Sequence, residues 1–388
     1  MRAIRSLAFA CCVACSSSGG TVGGAPDCPE APETKGYWSP MALPPANVGA
    51  LLEAFAWTGD ELLVWGGVGL HTENGGCVPC NGGGAYDPKS NSWRALSSVG
   101  APTARESAPG VWTGKYFVTW GGRPIITRTP TSKDSIGGIY DLATDVWKAL
   151  PTSNQPEWRW QHDLVWTGRE VLVWGGANWD NVNLCDGGRF DPEQGTWSPM
   201  SLAGAPSGCA GPAVAWTGKE LLVWGGDKAG ISYELTNTGA VYDPELDSWR
   251  TMSTVGAPAA RARAAVVWTG QEMIVFGGNV GVDARAYNPT TDTWRSLSLV
   301  GAPALHTRGD AVWTGSEMIV WGHSDCDVGG RYDLASDTWK LFSSKGSLSA
   351  RAEQTLVWTG EDMLVYGGTV GTHFTQDTNS GARYRPPL

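Results

Sequence analysis

The tripeptide Trp-Thr-Gly recurs seven times along the chain at intervals of roughly 50 residues, which is the signature of a repeat architecture. Its tryptophans are Trp57, Trp112, Trp166, Trp216, Trp268, Trp313 and Trp358. A second aromatic residue always follows eight residues later, namely Trp65, Trp120, Trp174, Trp224, Phe276, Trp321 and Tyr366. Because each repeat must bury its apolar surface against its neighbours, the 388-residue chain is predicted to form one large ring and not several separate domains.

Each repeat is predicted to contain four antiparallel strands. Apolar runs such as 221–224 suit a strand that is covered on both faces. The Thr-Gly-x-Glu sequence suits a tight turn between the first two strands, and Asp-Pro, as in Asp87-Pro88, suits a turn between the third and fourth. With 53 Gly, 24 Pro and 22 Trp, the composition favours many short strands, so the fold class is predicted to be all-β.

The last repeat lacks its final strand, and the N-terminus supplies a match for it. Six of the repeats contain an aromatic residue followed seven positions later by Trp, but the seventh ends at Leu388 without that Trp. The sequence Trp38-Ser-Pro-Met41 matches the one at Trp197. A closed ring needs such an exchange whereas a solenoid does not. We therefore predict a seven-bladed β-propeller over residues 36–388, closed by the N-terminal strand.

An apolar run ending in Gly-Gly, then Tyr and then Trp at these spacings resembles the kelch repeat. The resemblance covers Trp38 to Tyr384, nearly all of the predicted propeller. It implies a propeller of kelch-type four-stranded blades. It implies no single function, because kelch-like propellers include oxidases, sugar isomerases and many non-catalytic binding proteins.

The N-terminal residues predict export. Arg2 and Arg5 precede a short apolar run, which is typical of a secretory signal over residues 1–14. The sequence Val13-Ala14-Cys15 resembles a bacterial lipoprotein cleavage box, in which Cys15 receives the lipid; ordinary secretion is the alternative. Residues 15–35, rich in Ser, Gly and Pro, are predicted to be a flexible tether. The expected location is the bacterial cell envelope, with membrane contact only through the lipid.

The charge of the chain argues against nucleic acid as a partner. The formal net charge is −10 and no cluster of Lys and Arg stands out, whereas nucleic-acid binding draws on clustered cations. We expect a monomer that binds a protein or a glycan.

The candidate ligand-binding residues fall in connections that share one face of the ring, the top, where strand two joins strand three and one blade joins the next. Trp158, Trp160 and Trp179 lie outside the repeat positions, and all three belong to the top of blade 3. With Arg159 and His162 they suit stacking on a sugar ring or gripping a peptide. Alternatively, their rings fill a gap between blades.

Four arginines recur seven residues before the Trp of Trp-Thr-Gly: Arg105, Arg159, Arg261 and Arg351. A ring of cations at the mouth of the propeller would attract an anionic ligand. The alternative, which the repetition favours, is that each arginine bonds the backbone or a nearby carboxylate and holds the blades together. Arg105 is retained as a candidate ligand-binding residue.

Outside the signal region the chain has an even number of cysteines, which in an exported protein suggests disulfides. They are Cys28, Cys77, Cys80, Cys185, Cys209 and Cys326. Cys185 with Cys209 is the favoured pair, because both fall on the top around the junction of blades 3 and 4. Cys77 and Cys80 have the spacing of a redox or zinc motif but are expected to staple a loop.

Catalysis is the less favoured interpretation. The copper-radical oxidases that this chain resembles in architecture need two tyrosines, two histidines and a cysteine, but most tyrosines here occupy repeat positions. No metal or other cofactor is predicted. A carbohydrate-active hydrolase or sugar isomerase remains the alternative, with candidates Arg105, Glu106, Arg159, His162 and Glu353. The predicted function is a lipid-anchored module of the cell envelope that binds a protein or carbohydrate through its top face.

Overall fold

The computed structural model describes residues 36–71, 77–124, 136–230, 234–303, 310–322, 327–370 and 376–387. Within these ranges the chain forms seven four-stranded sheets and contains no helix. Neighbouring strands in each sheet are antiparallel, and in blades 1 to 6 they follow the chain order from first to fourth, whereas in blade 7 the fourth strand comes from the N-terminus. The predicted all-β, seven-bladed propeller is therefore confirmed.

Each repeat contributes one strand to each of four concentric positions, counted outward from the central channel. The first strands are Ala54–Trp57, Gly110–Trp112, Asp163–Trp166, Ala213–Trp216, Ala265–Trp268, Asp310–Trp313 and Thr355–Trp358. The second strands are Leu62–Trp65, Tyr116–Trp120, Val171–Trp174, Leu221–Trp224, Met273–Phe276, Glu317–Trp321 and Met363–Tyr366. The third strands are Gly83–Asp87, Gly137–Asp141, Gly187–Asp191, Gly239–Asp243, Ala284–Asn288, Val328–Asp333 and Gly381–Arg385. The fourth strands are Ser92–Ala95, Val146–Ala149, Thr196–Pro199, Ser248–Thr251, Thr293–Ser296, Thr338–Ser343 and, for blade 7, Tyr37–Pro40.

Short two-stranded ribbons rise above four of the blades at the top. Their pairs are Val68–His71 with Cys77–Pro79, Arg105–Glu106 with Arg123–Pro124, Gly208–Ala210 with Asp227–Lys228, and Thr369–Val370 with Gln376–Asp377.

The N-terminal strand closes the ring as predicted. It pairs antiparallel with the third strand of blade 7, so that Trp38 lies opposite Tyr384. The indole N–H of Trp38 donates to the carbonyl of Ser343 in blade 6 at 3.0 Å, and its ring lies 5.0 Å from that of Tyr384. The first residues of the propeller therefore hold blade 7 against blade 6.

The hydrophobic core is divided into layers between adjacent blades. Between blades 5 and 6, for example, Val267 and Ile274 pack with Met318 and Val320, and all four are buried. The second strands are buried on both faces, which explains their continuously apolar sequences. Stability is thus shared among similar interfaces around the ring.

The bottom face is built from repeated short turns. In blade 1 the hydroxyl of Thr58 accepts the N–H groups of Asp60 and Glu61, while Gly59 takes a φ of 107° that favours glycine. In the turn between the third and fourth strands, Asp87 accepts the N–H of Lys89 at 2.8 Å. Both turn assignments made from the sequence are confirmed.

The outer tryptophans join each blade to the preceding one. In blade 5, Trp294 donates its indole N–H to the carbonyl of Ser253 at 2.8 Å, and Asp292 accepts the N–H of Ser253 at 2.8 Å. The hydroxyl of Tyr287 donates to the same carboxylate at 2.7 Å. The Asp-Thr-Trp sequence is therefore a structural link at this position.

Within the described ranges, no helix has the length and apolar character needed to cross a membrane.

Candidate functional site

The top of blade 3 begins with the connection that carries Trp158 and Trp160. The indole N–H of Trp158 donates to the carbonyl of Gly122 in blade 2 at 3.0 Å. That of Trp160 donates to the carbonyl of Asn178 at 3.3 Å, and the backbone of Trp160 pairs with Ala177. Trp160 is buried and Trp158 is half-buried, so both rings fill space between the top connections of blades 2 and 3. Their positions favour the packing interpretation.

Trp179 is the exposed member of the group. Its side chain is 36% exposed, and its ring centre lies 5.5 Å from that of Trp158. The guanidinium of Arg123 lies over Trp160 at 4.8 Å and over Trp179 at 5.7 Å, both within the range of cation–π attraction. Arg123 also lies 3.8 Å from the carboxylate of Glu106. We call Arg123, Trp158, Trp160 and Trp179 the top aromatic cluster.

No motif in the sequence marks Arg123 as a site residue. Arg123 directly follows the Gly-Gly of blade 2, at the start of a variable top connection. Its proximity to Trp160 and Trp179 of blade 3 depends on how two loops pack. The sequence feature that could have identified Arg123 is its position on the top of blade 2, next to the blade that carries Trp158, Trp160 and Trp179.

Arg105 and Arg159 do not present their charge to the mouth of the propeller. Both side chains are fully buried. Arg105 donates to the carbonyl of Gly121 at 2.8 Å, and Arg159 donates to that of Gly175 at 3.2 Å while pairing with Asp186 at 2.6 Å. Their placement favours the structural alternative, because a ligand resting on the top connections would not reach either guanidinium.

Backbone hydrogen bonds between consecutive blades involve the same arginine positions, and we call these bonds the backbone relay. The N–H of Gly122 donates to the carbonyl of Arg159 in the next blade at 2.9 Å, and the N–H of Gly67 donates to that of Arg105 at 2.9 Å. The residue before each of these glycines is also Gly. In a blade that has the arginine, the carbonyl of this first Gly accepts a hydrogen bond from the guanidinium, as Gly121 does from Arg105. The relay therefore ties together the tops of consecutive blades.

His162 is buried beside the relay. Its ring meets that of Trp120 edge-on at 5.2 Å, and neither ring nitrogen has a hydrogen-bond partner among the described residues. Burial, together with the nearby Arg159 charge, lowers the pKa of His162 to about 3. The imidazole is therefore neutral at physiological pH and is not available at the surface for a ligand.

The predicted disulfide between Cys185 and Cys209 is present, with Cα atoms 4.7 Å apart. Cys209 occupies the position at which other blades carry the buried arginine, and its carbonyl accepts the N–H of Gly176 at 2.8 Å. Cys80 is buried, but only the backbone of Cys77 is described, so their pairing stays a prediction. Cys15, Cys28 and Cys326 lie outside the described residues.

A buried carboxylate marks the junction of blades 7 and 1. Glu53 accepts the hydroxyl of Thr355 at 2.9 Å through one oxygen, while the other oxygen is buried without a hydrogen-bond partner among the described residues. Burial raises the pKa of Glu53 to about 7, in spite of the bond from Thr355. The same junction holds the hydroxyl of Tyr366, which donates to the carbonyl of Gly49 at 2.7 Å.

Over the described ranges, no three His, Cys, Asp or Glu side chains are grouped so that they could hold a metal ion. His306, His323 and His373 lie outside those ranges, and the side chain of His71 is not described.

Comparison with known families gives one match. The family model described as "KLHDC2/KLHL20/DRC7 Kelch-repeats domain" matches residues 53–278 and, in an overlapping alignment, residues 161–368. Together the two alignments cover most of the propeller. No curated protein gives a significant match to the chain.

Proposed function

Because the chain belongs to the kelch-repeat family, whose propellers generally mediate protein interactions, we propose that it is an exported module that binds a protein through the top of blades 2 and 3. The observation that carries this proposal is the exposed Trp179 ring, held by Trp158 and Arg123. Tryptophan and arginine are enriched among the residues that dominate protein interfaces.

The top aromatic cluster is suited to this role because its exposed part is supported from below. Trp158 and Trp160 are fixed by indole hydrogen bonds to backbone carbonyls, so Trp179 and Arg123 rest on a rigid base. A preorganised aromatic anchor loses little conformational entropy when a partner covers it. A protein partner also supplies carboxylates and carbonyls for the guanidinium of Arg123.

Site-specific photo-crosslinking in the source cells tests the proposal. A benzoylphenylalanine replaces Trp179 in one variant and Leu246, an exposed residue on a bottom turn, in the control variant. We expect one discrete protein adduct from position 179, none from position 246, and several-fold less adduct when Arg123→Ala is added. An adduct removed by glycosidases would assign the site to a glycan instead, and no adduct from either position would refute the proposal.

Export and lipid anchoring complete the proposed function. The Cys185–Cys209 disulfide is typical of a protein that folds in an oxidising compartment. Metabolic labelling with a palmitate analogue should mark the wild-type chain at Cys15 and leave the Cys15→Ser variant unmarked. Release of an unlabelled wild-type protein into the medium would support simple secretion.

A further inference from the structure

The seven Trp-Thr-Gly tryptophans form a second aromatic surface, at the bottom of the central channel. Each ends the first strand of its blade, next to the bottom turn, and each is half-buried. Each also packs against the apolar layer shared with the preceding blade. We call Trp57, Trp112, Trp166, Trp216, Trp268, Trp313 and Trp358 the inner tryptophan ring.

The inner ring differs from the outer tryptophans in its hydrogen bonding. The outer tryptophans of blades 1 to 6 each donate the indole N–H, at 2.8 to 3.0 Å, to a backbone carbonyl just after the fourth strand of the preceding blade. They are Trp93, Trp147, Trp197, Trp249, Trp294 and Trp339. By contrast, no indole N–H of the inner ring has a partner among the described residues, and none is among the fully buried polar atoms that lack one. Within the described part of the chain, each inner N–H is therefore an unpaired donor that is not fully buried.

Four members of the ring line a depression of about 420 Å³, which lies within the size range of small-molecule sites. They are Trp313, Trp358, Trp57 and Trp112, from the consecutive blades 6, 7, 1 and 2. The remaining lining is apolar and includes Phe55, Val111 and Leu356. No charged side chain belongs to this lining.

The turns around the depression carry both signs of charge. Glu361 and Asp60 occupy the exposed turn position in blades 7 and 1, and Lys115 occupies it in blade 2. A rim of mixed sign gives no uniform field toward one side of the channel. The charge pattern therefore favours an uncharged ligand.

We propose that the inner tryptophan ring binds a neutral saccharide in the bottom mouth of the channel. Indole N–H groups only donate hydrogen bonds, so the ligand must offer acceptors, and the flat apolar walls require it to present apolar faces as well. A neutral sugar ring combines C–H faces with hydroxyl acceptors. This site is separate from the protein-binding surface proposed on the top, since the two lie at opposite ends of the propeller.

Packing alone does not account for the choice of tryptophan. In the same strands, Val267 and Val357 meet the neighbouring blade with no polar atom. A tryptophan at the end of the strand adds a donor that the folded chain leaves unused. Its repetition places such a donor next to the bottom turn of each of the seven blades.

Calorimetric titration of the purified exported protein with neutral mono- and oligosaccharides tests the proposal. The variant Trp57→Leu/Trp358→Leu changes two walls of the depression in adjacent blades, and Trp268→Leu changes the matched position in blade 5, which is outside the four blades that line it. We expect saturable binding of at least one neutral saccharide, a loss of affinity of at least tenfold in the double variant, and less than threefold in Trp268→Leu. Leu246→Ala, on an exposed bottom turn outside the lining, should bind as the wild type does.

A second pair of substitutions covers the case in which the leucine variant does not fold. Trp57→Phe/Trp358→Phe keeps an aromatic face and removes both N–H groups, so it should fold and bind several-fold more weakly than the wild type. The proposal is overturned if no neutral saccharide binds, if charged saccharides bind better than neutral ones, or if a folded variant that lacks both Trp57 and Trp358 keeps full affinity.

Discussion

Arg261 donates a hydrogen bond of 2.6 Å from its guanidinium to the carbonyl oxygen of Gly277, 16 residues further along the chain. The carbonyl of Arg261 accepts the N–H of Gly226 in the preceding blade at 2.8 Å. The side chain of Arg261 thus bonds to the top of its own blade, and its backbone bonds to the preceding blade.

Replacing Arg261 by Met should therefore destabilise the propeller. The substitution keeps much of the aliphatic volume but leaves the buried carbonyl of Gly277 without its donor, which costs about 2–4 kcal/mol when the lost charged bond is included. The matched control is Arg250→Met, because Arg250 pairs with Glu220 at the surface and should contribute less than about 1 kcal/mol. Urea unfolding of both variants measures the difference, and equal losses would contradict a structural role for Arg261.

Ring closure through Trp38 should dominate the stability of blade 7. Trp38→Ala removes contacts with Trp321 and Tyr384 and the bond to Ser343, for an expected loss of roughly 2–4 kcal/mol. Deleting residues 1–40 should also leave the strand Gly381–Arg385 as an open edge, which favours association between chains.

Thermal unfolding and light scattering after size-exclusion chromatography measure the two effects of opening the ring. Trp179→Ala serves as the control, since its ring is exposed at the top and its loss should change the melting temperature little. A deleted chain that stays monomeric and melts with the wild type would show that closure contributes nothing.

The number of blades, the turns and the closing strand could be predicted because their causes are local or periodic. Thr58 and Asp87 act on backbone groups two or three residues away, so their roles can be inferred from a short sequence window. The missing seventh Trp and its match at Trp38 required only that the repeats be counted.

The candidate site could be predicted only as a region. Arg159 has the same sequence signature whether its guanidinium faces a ligand or a buried carbonyl, and only packing decides between them. Arg123 contacts Trp160 and Trp179 across two loops, a relation that no spacing encodes. Likewise, the inner and outer tryptophans are equally periodic, although only the outer ones have their N–H groups satisfied.

The buried Glu53 should make the junction of blades 7 and 1 less stable at alkaline pH. Its pKa is raised to about 7 from 4.5, so between these values the folded chain retains a proton that the unfolded chain has lost. Stability should therefore fall as the pH rises from about 4.5 to 7.

The variant Glu53→Gln tests this, because it can still accept the hydroxyl of Thr355 but does not titrate. It should be more stable than wild type by on the order of 2–3 kcal/mol at pH 8 and nearly equal to it at pH 4.5. Urea unfolding at both pH values checks this, and a constant difference would contradict it.

The buried His162 should make the propeller less stable at acidic pH. Its pKa falls to about 3 from 6.5, so below pH 6.5 the unfolded chain takes up a proton that the folded chain excludes. The stability that depends on neutral His162 is present in full above the unfolded value and is lost as the pH falls toward 3. Between pH 7.5 and 4.5 this loss should reach about 2–3 kcal/mol.

His162→Gln removes the titrating group from its place beside Trp120 while retaining a polar side chain of similar size. The variant should be less stable than wild type near pH 7.5, where it loses the ring contact, but its stability should fall less on acidification. The informative quantity is the change in unfolding free energy between the two pH values, because the cost of the lost ring contact cancels in that difference. Equal acid sensitivity in the two proteins would mean that His162 is protonated in the folded state and is less buried than its contact with Trp120 implies.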